Sequence, residues 1–138
     1  MRILVSACLL GENCKYNGGN NYSQAVADFV AGHQVIPACP EMEAGMGCPR
    51  IPIEIVDGVL RDRDGNCVDA AMRQAIARRL ESLGPEGIDC AVLKSRSPTC
   101  GVRQVYDGTF SGKLIDGSGL FAQALREAGY RVLDSEEI

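Results

Sequence analysis

The chain has 138 residues, 46% of them hydrophobic and 23% charged, with a formal net charge of −4. That length and balance predict one globular domain spanning residues 1–138, and they exclude a disordered tail or a disulfide mini-scaffold. No window gathers lysine and arginine into a stripe, which argues against duplex nucleic acid as a partner, and no apolar run is long enough to cross a bilayer.

In chain order, Arg2 to Ser6 alternates and is rich in aliphatic residues, so a first strand is predicted, ending near Cys8. A Gly/Asn-rich loop, Asn17 to Asn21, comes after it rather than a small-residue cleavage site; no signal peptide is expected, and a reducing cytoplasm is the expected compartment. Ser23 is placed to cap a helix with Val26, Phe29 and Val30 on one face. Gln34 to Ala38 reads as a second strand running into Cys39-Pro40-Glu41. Glycine and proline rule out regular structure from Gly45 to Pro52. Ile53 to Val56 and Val59 to Asp62, joined at Asp57-Gly58, predict a β-hairpin.

Ala71, Met72, Ile76, Leu80 and Leu83 recur at helical spacing between Val68 and Leu83, and Gly84-Pro85 closes that helix. Asp89 to Lys94 is a third core strand, Leu120 to Glu127 a further helix ending at Gly129, and Tyr130 to Leu133 a last strand. Strands alternating with helices predict an α/β fold: a single three-layer domain with a mostly parallel, doubly wound sheet and a small β-hairpin insertion.

Seven cysteines are present, at positions 8, 14, 39, 48, 67, 90 and 100. The odd count without a secretory signal argues against a disulfide framework. Cys90, in an apolar run, and Cys67, at the head of a helix, read as buried small hydrophobes. Cys8, Cys39 and Cys100 come after the first, second and third predicted strands, where open parallel sheets bind their ligands. Cys48 lies in the same loop as Cys39 and competes for the same place. Soft thiolates from three loops suit zinc or an iron–sulfur cluster. With no CxxC pair, and only His33 as histidine, a closed zinc knuckle fits less well. Glu41 and Ser97 stand within three residues of these cysteines, where a carboxylate can move a proton and a hydroxyl can orient a reacting group. Lys94 and Arg96 could meet an anionic substrate group. His33 reads as a surface turn residue.

Several segments together resemble the thiouracil desulfurase family. They are Ser6-Ala7-Cys8-Leu9-Leu10-Gly11, Tyr16-Asn17-Gly18-Gly19, Cys39-Pro40-Glu41, Pro49-Arg50, the run from Leu93 to Gly101, and Tyr106-Asp107-Gly108. The resemblance implies a 4Fe–4S cluster held by Cys8, Cys39 and Cys100, with Cys48 the alternative middle ligand and one iron without a protein ligand. It implies Glu41 and Ser97 as catalytic residues. The activity implied is non-redox desulfuration of thiolated pyrimidines, either thiouracil or thiouridine nucleotides, with release of sulfide. Lys94 and Arg103 are then the candidates for a substrate phosphate. Two other functions fit the same cysteines: a cluster- or metal-binding module without turnover, and a thiol redox protein using two of them as a disulfide pair.

Overall fold

A computed structural model describes residues 1–138 and builds them around four parallel strands. These are β1 (Arg2–Ser6), β2 (Gln34–Ala38), β5 (Cys90–Leu93) and β8 (Val132–Asp134), in the spatial order β2-β1-β5-β8. The alternation of β1 decides which side chain faces which layer. Ile3 and Val5 point to one face with Cys90 and Val92, while Leu4 points to the other with Ala91 and Leu93. β2 is an edge strand, which is why Pro37 is tolerated inside it despite lacking an N–H.

The helix α1 (Gln24–Val30) begins at Ser23, whose Oγ accepts from the Val26 N–H at 3.3 Å, and packs Val26 and Val30 on the first face. The opposite face is covered by α3 (Asp69–Ser82) and α4 (Leu120–Glu127), which bury Met72, Ile76, Phe121 and Leu125 against Leu4, Ala91 and Leu93. Each such side chain contributes roughly 1.5–3 kcal/mol on leaving water. The layers are therefore helix, sheet, helix, as the alternating pattern predicts. Gly84, at φ +67°, comes just past the end of α3 in the left-handed region that glycine takes most readily.

The hairpin of β3 (Ile53–Val56) and β4 (Val59–Asp62) pairs antiparallel. Its turn residues Asp57 and Gly58 both have positive φ, the primed geometry that matches strand twist. Two short elements are additions to the sequence expectation. One is the four-residue helix α2 (Pro40–Glu43), which starts at Cys39. The other is an antiparallel ribbon of β6 (Gln104–Tyr106) and β7 (Leu114–Asp116). A four-residue helix and a ribbon of three-residue strands carry too few positions to display a period, so neither addition was legible locally. Cys67 is a correction: it is exposed and bridges back to Arg61 ahead of α3, whereas Cys90 is buried as expected. His33 is exposed and its Nδ1 meets the terminal ammonium at 2.9 Å.

Candidate active site at the strand ends

From β1 the chain leaves through α1 to reach β2 on one side, and β5 lies on β1's other side. The connections thus diverge at the carboxyl ends of β1 and β5, the place where open α/β sheets form a crevice. A cavity of about 510 Å³ opens there. Cys8, in the tight turn after β1, Cys39, at the end of β2, and Cys100, in the loop after β5, all line it. So does Cys14, which the sequence reading passed over. The signal available for it was its position in the same loop as Cys8, six residues on.

These four thiols sense one another. Burial pushes Cys14 up to about 12, with Cys39 and Cys8 adding to the shift. Burial likewise raises Cys100 well above the usual thiol range; a hydrogen bond from Ser6 opposes this, and Cys8, Glu41 and Cys39 reinforce it. Cys8 and Cys39 are raised in the same way, opposed chiefly by Asn21 and by the Met42 N–H respectively. Thiols held protonated beside one another and beside a carboxylate favour a positively charged partner that displaces their protons. No three of these groups converge on a point that would hold one metal ion. They ring a cavity instead, and the donor set fits a thiolate-bound cluster better than a single ion.

Cys48 turns away. Its Sγ donates to the carbonyls of Lys15 at 3.0 Å and Asn13 at 3.3 Å, and it does not line the cavity. It braces the loop that carries Cys14.

Glu41 stands in the first turn of α2 with both carboxylate oxygens engaged. Oε1 accepts from Arg50 Nε at 3.0 Å, and Oε2 accepts from the Thr99 hydroxyl at 3.1 Å. Arg50, only 6% exposed at its side chain, also donates to the Cys14 carbonyl at 2.8 Å, and its backbone N–H donates to the Tyr16 carbonyl at 2.7 Å. One guanidinium therefore ties the carboxylate to the loop bearing Cys14. Ser97 Oγ accepts from the N–H groups of Thr99 and Cys100, each at 3.1 Å, which shapes the turn presenting Cys100 and leaves its own O–H free to donate. Gly119 presses on this turn so closely that a Cβ there would overlap the Thr99 carbonyl. Lys94 lines the cavity with its Nζ near the Ser95 hydroxyl.

Arg103, like Cys48, is a candidate that the fold takes elsewhere. Its guanidinium grips Glu137 in a forked pair at 2.6 and 2.7 Å, in a separate depression beside the C-terminal turn. By that position the chain has already turned outward into β6. Other cavity residues without a forecast role are Arg63, Lys15, Glu54, Tyr106 and Phe110.

A doubly wound α/β protein with thiols, a clamped carboxylate and cationic side chains around one strand-end cavity defines a class of thiol-site enzymes. The comparisons specify it further. A model of the 2-thiouracil desulfurase family matches residues 3–137, and the chain belongs to that family. It is 37% identical over 146 residues to the uncharacterized protein YbbK of Bacillus subtilis (strain 168), covering 99% of this chain and 97% of that protein. Among solved structures it resembles the 4Fe–4S-dependent thiouracil desulfidase TudS, with a TM-score of 0.91 and 31% identity over 99% of this chain and 92% of that one.

Proposed function

We propose that this chain, acting as one unit over residues 1–138 in a reducing cytoplasm, removes sulfur from thiolated pyrimidines without net oxidation or reduction. The observation that carries the reading is the grouping of Cys8, Cys39 and Cys100 with Glu41 around one cavity. Family membership and the likeness to a 4Fe–4S-dependent desulfidase support it.

Cys8, Cys39 and Cys100 are the residues that would hold a 4Fe–4S cluster. When bound, with one iron lacking a protein thiolate, it would supply a Lewis acid for a thiocarbonyl sulfur. The chain's own residues do the rest. Glu41, fixed on both oxygens, keeps a spare lone pair on each and accepts a proton from the attacking water. Ser97 directs its hydroxyl proton toward the ring or that water. Lys94, with Lys15 and Arg63 in the same cavity, offers positive charge to a nucleotide phosphate. Water adds its oxygen to the ring carbon, the carbon–sulfur bond breaks, and sulfide leaves. No electron is gained or lost.

The test is to reconstitute the protein anaerobically with iron and sulfide, and to incubate it with 2-thiouracil or a thiouridine nucleotide. Sulfide and the oxo-pyrimidine should appear with no electron donor added. Iron loading without any sulfide release would replace this reading with that of a cluster-binding module.

A further inference from the structure

Of four tyrosines and three phenylalanines in the chain, Tyr16, Tyr106 and Phe110 line the cysteine cavity. Tyr106 ends β6, Phe110 lies within the segment 107–113 that joins β6 to β7, and Gly112 lines the cavity from the same segment. Phe110 sits at φ +56°, a backbone conformation that a bulky residue holds only where its surroundings impose it. The imposing group is Glu54 on β3. Glu54 is 7% exposed as a residue, and its Oε1 accepts from the N–H groups of Gly108 at 2.9 Å and Phe110 at 3.2 Å. A buried carboxylate costs heavily unless it is hydrogen-bonded, so this pairing is a constraint on both partners. The contact is also close-packed, since a Cβ on Gly108 would stand 2.6 Å from the Ile55 carbonyl.

We propose that this segment, pinned by Glu54, is the ring-recognition wall of the cavity. Phe110 takes one face of a single six-membered heteroaromatic ring, and Glu54 is the positioning residue that holds Phe110 there. The thiols and Glu41 come from the sheet's own loops, whereas this wall comes from the hairpin and the ribbon, so recognition and chemistry are carried by different parts of the chain. A flat apolar face stacks any base, so the wall supplies affinity for the ring rather than a choice among bases. The inference rests on the proposed action on thiopyrimidines.

Its test is a binding measurement that needs no turnover. Calorimetry of iron-loaded protein with uracil, and with the bicyclic base hypoxanthine, compares the parent with Phe110→Gly, Glu54→Ala and Glu54→Gln. Phe110→Gly removes the ring while accepting the left-handed backbone without strain, so it keeps the fold. It should weaken uracil binding roughly 5- to 100-fold, the scale of a lost base-stacking contact. It should weaken hypoxanthine binding by a similar factor. Glu54→Ala should resemble it, and Glu54→Gln should bind like the parent because an amide oxygen can accept from the same two N–H groups. Iron content should be unchanged in all four. Equal uracil binding by parent and Phe110→Gly, or no uracil binding by the parent, overturns the inference. Sulfide release by the parent, measured separately, would leave the proposed activity standing in either case.

Discussion

The Thr99 hydroxyl, wholly buried, donates to Glu41 Oε2 at 3.1 Å across 58 residues of sequence. With Arg50 on the other oxygen, the carboxylate is held between the turn that carries Cys100 and the loop that follows α2. Thr99 does not line the cavity and acts through Glu41, which it positions. Thr99→Val keeps the shape and removes the donor. It should lower kcat by about tenfold or more, the scale of a hydrogen bond to a charged group, with KM and iron content little changed. Thr99→Ser should restore the rate. Equal rates for the Val and Ser variants would count against the positioning role.

Glu41→Gln tests the base itself. The amide oxygen can still accept from Arg50 while its NH2 donates to the Thr99 hydroxyl, which then acts as acceptor, but the amide no longer takes a proton as a carboxylate does. Iron loading should persist while the rate falls roughly 10²- to 10⁴-fold. A variant as fast as the parent would exclude Glu41 as the proton acceptor.

The thiols separate by where the fold places them. Cys8→Ser, Cys39→Ser and Cys100→Ser should each lose most of the bound iron and the visible absorption of the reconstituted protein. Cys48→Ser should retain both, because its sulfur bonds to the Asn13 and Lys15 carbonyls outside the cavity. Cys67→Ser, at an exposed position, should be silent. Iron content by colorimetric assay decides each case, and equal loading in the Cys39 and Cys48 variants would contradict the placement.

Acid stability should depend on Asp69, the first residue of α3. Burial raises its carboxyl, but the Arg73 and Leu60 contacts outweigh that and hold it below the usual value of 3.8. Its Oδ1 accepts from the Leu60 N–H at 2.9 Å and Oδ2 from Arg73 Nε at 2.6 Å, joining the helix start to β4. A carboxyl lowered on folding adds stability above its unfolded value, and that increment is lost as pH falls below about 4 through the folded value. Asp69→Asn should therefore be less stable near neutral pH, and the gap from the parent should close in acid. Denaturant titrations at pH 7 and pH 3 measure it; a gap that does not shrink would rule out this linkage.

The aliphatic pattern from Arg2 to Ser6 was enough to predict a first strand, and the spacing of Met72, Ile76 and Leu80 enough to predict α3. Both signals are local: a period of two or of 3.6 survives in any sequence that must bury one side of an element. The same locality placed Cys8, Cys39 and Cys100 at strand ends, because chain order and strand order together decide which loops share an edge of a parallel sheet. What lay beyond it was the direction of each loop side chain. Cys14 faces the cavity and Cys48 faces away, although both sit in irregular, glycine-flanked segments of similar composition. Arg103 spends its charge on Glu137, and Arg50 on Glu41. Thr99, Glu54 and Phe110 acquire their places only when the 97–101 turn meets α2 and the ribbon meets the hairpin. Those directions arise from contacts between segments distant in the chain, and no local period encodes such contacts: the energy that selects them exists only once both partners are packed together.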